Sequence, residues 1–134
     1  MVLLSGAYRS EDVRKAIDWY RKSADQGYAP AQANLAGIYI YGDTVPPEVK
    51  RGFRLAEAAA NQNNNHGQFL VAYVYHHSNK DYRLAMQWYE TAAKNNNPAA
   101  ANQLGVLYFN GEGVEKEEED FAAEVAAQME AAKK

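Results

Sequence analysis

The sequence predicts an all-α fold in which helical hairpins stack one on the next. Three observations carry that expectation. A phrase at 16–25, AIDWYRKSAD, recurs at 85–94 as AMQWYETAAK. The 69-residue interval divides into shifts of 36 and 33, because Lys22–Gln26 aligns with Ala58–Gln62 and Leu35–Tyr39 with Val71–Tyr75. Within each copy the apolar residues fall at i, i+3, i+4, i+7 and i+11, the stripe of an α-helix and not of a strand. Self-similarity at this period marks supersecondary units that cannot bury a core alone and gain one by stacking.

The elements follow in chain order. Residues 1–10 read as a half-repeat, the last turns of a preceding second helix, since Leu4-Ser5-Gly6-Ala7-Tyr8 aligns with Leu104-Gly105-Val106-Leu107-Tyr108. Repeat one (11–46) opens with a helix whose stripe is Val13, Ala16, Ile17, Tyr20 and Ala24. The stripe returns in repeat two (47–79) as Val49, Gly52, Phe53, Ala56 and Ala60, and in repeat three (80–114) as Tyr82, Ala85, Met86, Tyr89 and Ala93. The second helices align in columns Ala31/Gly67/Ala100, Leu35/Val71/Leu104, Ile38/Val74/Leu107 and Tyr39/Tyr75/Tyr108.

Between the helices of each hairpin lie Asp25-Gln26-Gly27, Asn63-Asn64-Asn65 and Asn95-Asn96-Asn97, rich in residues that accept left-handed backbone at a helix C-terminus. Pro30 and Pro98 fall in the first turn of a second helix, where a missing N–H costs nothing. Gly42 to Pro47 and Gly111 to Gly113 end the second helices. The columns Ala24/Ala60/Ala93 and Ala36/Ala72/Gly105 let helix backbones approach, with Tyr and Leu filling the remaining space. Residues 115–134 read as a capping helix: Phe121, Ala122, Val125 and Met129 extend the stripe, Glu117–Asp120 sit near its start, and Lys133 and Lys134 at its end complement the helix dipole.

Composition narrows the function. A chain of 134 residues suits one domain, and 47% apolar with 23% charged residues at net charge −3 argues against disorder and against a basic nucleic-acid binder. Apolar runs are too short to span a membrane. MVLLSGA lacks a signal peptide's basic start and long apolar stretch, so the chain reads as cytoplasmic, or as periplasmic or secreted if an upstream signal was removed. With no cysteine, disulfides, thiolate metal sites and thiol catalysis are excluded. No phosphate loop or nucleophile motif is present, and neither enzymatic activity nor a cofactor is expected. The three histidines are His66, His76 and His77. Adjacent residues at a helix end point in different directions, so His76-His77 makes a poor metal pair, and Asp81 reads as the cap of the following helix.

The phrases WYRKSADQGYAPAQANLAGIYIYG (19–42) and WYETAAKNNNPAAANQLGVLYFNGEGV (88–114) resemble Sel-1-like repeats, relatives of tetratricopeptide repeats with a period near 36 and a glycine-containing loop. The third copy keeps the loop signature as Gly111-Glu112-Gly113-Val114. The first loses one glycine at Gly42-Asp43-Thr44-Val45, and the second lacks the Trp-Tyr pair and the glycine loop. The resemblance implies a right-handed α-solenoid that binds another protein or a peptide, as an adaptor or scaffold or, alternatively, as a bacterial immunity protein that neutralises a toxin. It also implies that first helices line a concave face. Their polar positions would then form ladders across it: Arg14/Lys50/Arg83, basic in every copy, flanked by Asp18/Arg54/Gln87 and Arg21/Glu57/Glu90. Such a row suits an acidic peptide or the loop of a folded partner; the plainer reading is a solvated face with weak pairs such as Arg14–Asp18 and Asp18–Lys22. Trp19 and Trp88 would be half-buried between neighbouring helices or, alternatively, exposed anchors. Exposed ends of the stack, Leu3-Leu4 among them, offer a route to self-association.

Overall fold

The computed structural model describes residues 5–112 and 115–133, with side chains from 10 to 112 and from 122 to 133. Leu3-Leu4, the side chains of the half-repeat, Gly113-Val114 of the third loop, and the side chains of the acidic run to Asp120 and of Phe121 lie outside the described residues. The elements are α1 (Ser5–Asp25), α2 (Ala29–Tyr41), α3 (Val49–Ala60), α4 (Asn65–His77), α5 (Tyr82–Lys94), α6 (Pro98–Asn110) and α7 (Glu115–Ala132), with no strand among the described residues. The fold is an all-α helical repeat solenoid. α1 is unbroken from Ser5, including at residue 10, where the sequence alignment puts the end of a half-repeat; the stretch from Ala7 to Val13 contains neither Gly nor Pro to interrupt it.

Local backbone chemistry sets the hairpins. Gly27, Asn63 and Asn96, at equivalent places in the three tips, take left-handed backbone with φ of +85°, +63° and +68°. One residue later Asn64 and Asn97 turn from ending one helix to starting the next, their side-chain oxygens accepting from the backbone N–H of Gly67 at 2.8 Å and of Ala100 at 2.9 Å. Asp81 caps α5 in the same way, accepting from Leu84 N–H at 3.1 Å. Gly42 and Gly111 close α2 and α6 in left-handed conformation. The shorter α4–α5 link keeps the anchor of the longer α2–α3 link: Glu48 N–H donates to the Tyr39 carbonyl and Asp81 N–H to the Tyr75 carbonyl, both at 2.9 Å.

Packing joins the hairpins into one interior. Each helix packs on the next through α6, and α2 also packs directly on α4. The small columns allow this. A Cβ on Gly52 would lie 2.6 Å from Ile40 Cγ1 and 2.9 Å from the Ala36 carbonyl, and one on Gly67 would lie 2.7 Å from Ala59 Cβ. Leu55 and Trp88 bridge successive core clusters, each packing against the hairpin before its own. Trp88 is half-buried there, whereas Trp19, in the same column, is 68% exposed because no hairpin precedes α1 in the described structure. The expectation of half-burial holds for one tryptophan of the two.

Candidate functional site

The ladder residues stand on α1, α3 and α5. Arg14, Lys50, Arg83, Asp18, Arg54, Gln87, Glu57 and Glu90 are exposed, and Arg21 is half-buried. Arg21 is tied to the fold: its guanidinium donates to Tyr39 Oη at 3.1 Å, a contact that raises its pKa further. That tether places it 3.8 Å from Asp18, so Asp18 pairs with Arg21 instead of with Arg14 or Lys22. Lys22 instead lies over the Trp19 ring, 4.6 Å from its centroid. Glu90 approaches Lys94 at 4.0 Å. These pairs are solvated and contribute little to stability.

Across hairpins, Leu55 of α3 packs on the cluster that holds Ile17 and Ala24 of α1, and Trp88 of α5 on the cluster that holds Ala56 and Ala60 of α3. Among the described residues α2 and α4 also approach closely, backbone to backbone.

The even-numbered layer carries a second surface that the sequence columns did not single out. Tyr20, Asn34, Gly37, Ile38, Tyr41 and His66, with Asp43 and Thr44, line an open groove at α1, α2 and α4. From its edge an aromatic series runs across the stack. Tyr41 meets Tyr73 edge-on at 5.1 Å, Tyr73 meets His77 at 4.2 Å, and His77 stacks on His76 at 3.9 Å. The buried His76 Nδ1 lies 3.1 Å from Tyr89 Oη. Burial lowers the pKa of His76, with the His77 charge next in effect; burial and then Lys80 lower that of His77. Burial raises the Tyr41 hydroxyl. Both histidines are therefore neutral at neutral pH. Among the described residues no group of three or more His, Cys, Asp or Glu side chains is placed to hold a metal ion, and no helix is long and apolar enough to cross a membrane.

An amide ladder at the hairpin tips also escaped sequence reading. Gln62 Nε2 donates to Gln32 Oε1 at 2.9 Å, Asn95 Nδ2 to the Asn63 carbonyl at 2.8 Å, Asn65 Nδ2 to the Asn95 carbonyl at 2.8 Å, and Asn97 Nδ2 to Asn65 Oδ1 at 3.2 Å. The available signal was the amide-rich composition of the second and third tips, which turn formation alone already explains.

Comparison with known proteins agrees with this architecture. The Sel1 repeat model matches residues 1–28, 29–64, 65–97 and 98–123. The chain is 30% identical over 123 residues to the Arabidopsis thaliana "ERAD-associated E3 ubiquitin-protein ligase component HRD3A", covering 81% of this chain and 18% of that protein. It is 32% identical to the Escherichia coli "Sel1-repeat-containing protein YjcO", covering 84% of this chain and 52% of YjcO. The chain thus spans about a fifth of the plant relative and about half of the bacterial one. Among solved structures, a Sel1 repeat protein from Oxalobacter formigenes superposes with a TM-score of 0.65 at 34% identity, covering 75% of this chain and 42% of that one. The protective antigen c5321 of uropathogenic Escherichia coli does so at 0.63 and 32%, covering 73% and 22%.

Proposed function

The chain belongs to the Sel1 repeat family, and from that premise we propose that it is a non-catalytic protein-interaction module, an adaptor that holds another protein or a peptide against its helical stack. Its relatives include a protein named as a ligase component and, in Saccharomyces cerevisiae, the "Chitin synthase regulator SKT5", 28% identical over 99 residues and matched over 14% of its length. Both names describe proteins that act in association with an enzyme. The observation that carries the reading is that Arg14, Lys50 and Arg83 are all exposed, one on each first helix of the three hairpins. Repetition presents one charge at regular intervals at no cost in ordering, which suits an acidic segment of a partner. The remaining contacts of this face are Asp18, Arg21, Arg54, Glu57, Gln87 and Glu90.

A second reading rests on the α2–α4 packing and places the partner on the even-numbered layer, against Tyr41, Tyr73 and His77. Aromatic side chains that are partly exposed and held by neighbours make favourable anchors. The two faces separate in one experiment. A partner captured with the wild-type chain and identified by mass spectrometry is measured against Arg14→Glu/Lys50→Glu/Arg83→Glu and against Tyr41→Ala/His77→Ala. The ladder reading expects the charge reversal to weaken binding by about tenfold or more, equivalent to about 1.4 kcal/mol, with the melting temperature held. Loss confined to the Tyr41/His77 variant moves the site to the even layer. A captured enzyme that is inhibited by the bound chain would identify the alternative role, that of an immunity protein.

A further inference from the structure

We infer that the junction of α1 with α3 holds an oxyanion site, in which Arg21 and Arg51, both held on Tyr39, take the carboxylate or phosphoryl group of one side chain in a partner segment. The inference rests on the odd-numbered helices being the partner face, and it names the group that anchors the partner there. Tyr39 of α2 is buried. Arg21 of α1 donates to its Oη at 3.1 Å, and the guanidinium of Arg51 on α3 lies over its ring, 4.7 Å from the centroid. One side chain thus positions two guanidiniums from successive hairpins. The junction lies inside the described stack, between two described hairpins.

Both guanidiniums keep donors for a ligand. The carboxylates that approach them are Asp18 for Arg21, at 3.8 Å, and Glu48 for Arg51, at 3.7 Å. Those separations are too long for hydrogen bonds, and solvated pairs along one helix are weak enough for an incoming oxyanion to replace. Arg21 Nε is buried without a hydrogen-bond partner among the described residues, a cost that the side chain would escape by swinging into solvent; the bond to Tyr39 keeps it in place. Beside Arg51, Lys50 and Arg54 join Glu48 and Val49 in an open depression at the start of α3. Neither Lys50 nor Arg54 makes an ion pair among the described residues. Packing does not require the arginine pair. At the next junction Tyr75 fills the column of Tyr39 and meets Phe53 edge-on at 5.6 Å, with Glu57 in the place of Arg21 and Leu84 in that of Arg51. The tyrosine therefore belongs to the repeat, and the two guanidiniums belong to this junction. A guanidinium presents paired N–H donors in a fixed fork that matches the oxygens of a carboxylate or phosphate, which an ammonium does not.

NMR titration of the intact, isotope-labelled chain at constant ionic strength tests it, using capped peptides Gly-Ser-Glu-X-Glu-Ser-Gly in which X is glutamate, phosphoserine or glutamine. The glutamate or the phosphoserine peptide should bind at least about fivefold more tightly than the glutamine peptide, with the side-chain signals of Arg21 and Arg51 moving together. Which of the two is tighter tells carboxylate from phosphoryl. Arg51→Lys, which keeps the charge, and Tyr39→Phe, which keeps the Arg21 charge without its tether, should each remove that preference. Lys15→Gln, which removes a charge paired with Glu11, should leave it unchanged. Arg51 is exposed, so Arg51→Lys decides the matter if Tyr39→Phe misfolds. Equal binding of the three peptides, no binding of any, or a preference that survives Arg51→Lys or a folded Tyr39→Phe overturns the inference. If Arg14→Glu/Lys50→Glu/Arg83→Glu abolishes binding while Arg51→Lys changes nothing, the junction site falls and the ladder reading stands. If the triple variant binds as the wild type does and the preference persists, the ladder reading falls and the junction site stands.

Discussion

The hairpin of α3 and α4 has lost the Trp-Tyr pair and the glycine loop that the hairpin of α5 and α6 retains, yet it is far better buried. In α4, Leu70, Val71 and Ala72 are essentially inaccessible, whereas α6 buries Ala100 and Leu107 and leaves Phe109 in solvent. The difference is one of position. A hairpin with neighbours on both sides has two faces covered whatever its sequence; one at the end of the described stack keeps a face open however well it matches the repeat pattern. Repeat-protein stability is a sum over hairpins and the interfaces between them, so interfaces, not resemblance to a consensus, determine which residues matter most.

The sharpest way to break that comparison is to truncate residues at equivalent positions. Leu70→Ala should destabilise by about 2–5 kcal/mol, through lost burial and the cavity left behind, read as the midpoint shift in urea unfolding. Asn34, in the same column of the first hairpin, is exposed, and Asn34→Ala should stay within about 0.5 kcal/mol. The two tryptophans repeat the test one step down. Trp88→Ala should cost about 2 kcal/mol, below the full range for a buried ring because Trp88 is half-buried, while Trp19→Ala should be close to neutral in dilute solution. Equal effects at the two tryptophans would mean that neighbouring hairpins do not determine burial here.

These pairs also mark what the sequence makes legible. The hairpins, their tips and their caps follow from local chemistry: a left-handed position needs Gly or Asn, and Gly27, Asn63 and Asn96 supply it in register. The exposure of the ladder residues other than Arg21 was likewise readable, since charged positions on a helix opposite its apolar stripe face water. Burial of Leu70 was not, because its column holds Asn34 and Gln103 in the other copies and only the neighbours of α4 enclose it. The Arg21–Tyr39 tether and the amide ladder depend on how one helix or hairpin sits on the next, which periodicity along a single helix does not encode.

Two glycines sharpen the comparison by reversing sign. Gly67→Ala places a methyl 2.7 Å from the Ala60 backbone nitrogen and 2.9 Å from the Ala56 carbonyl; backbone cannot yield cheaply, so overpacking should cost about 1–3 kcal/mol. Gly105→Ala meets nothing within 4 Å in the single chain and replaces a poor helix former in an exposed helix, a gain of roughly 0.5–1 kcal/mol. Thermal melts of both variants at low concentration check this, and a destabilised Gly105→Ala would show that the α6 face is already covered.

The smallest effect concerns acidity, and it again contrasts the middle hairpin with its neighbours. Ile40 and Phe109 occupy the column in which α4 has His76, so the central interface alone contains an ionisable group there. The groups acting on it are His77 and Lys80, which with burial oppose its protonation, and Glu112, which favours it; Tyr89 holds its ring by a hydrogen bond. The net shift lowers the folded-state pKa of His76 below the ordinary 6.5, and those of His77 and His66 are lowered too. Below the ordinary value the unfolded chain binds protons that the folded chain does not, so stability rises with pH through that window and is lost as pH falls through it. The melting temperature should therefore decline from about pH 7.5 to about pH 5.5. His76→Gln, which retains a hydrogen-bonding side chain for Tyr89, should flatten part of that decline and leave the shares of His77 and His66. An unchanged slope in His76→Gln would place the pH sensitivity outside the α4–α5 interface.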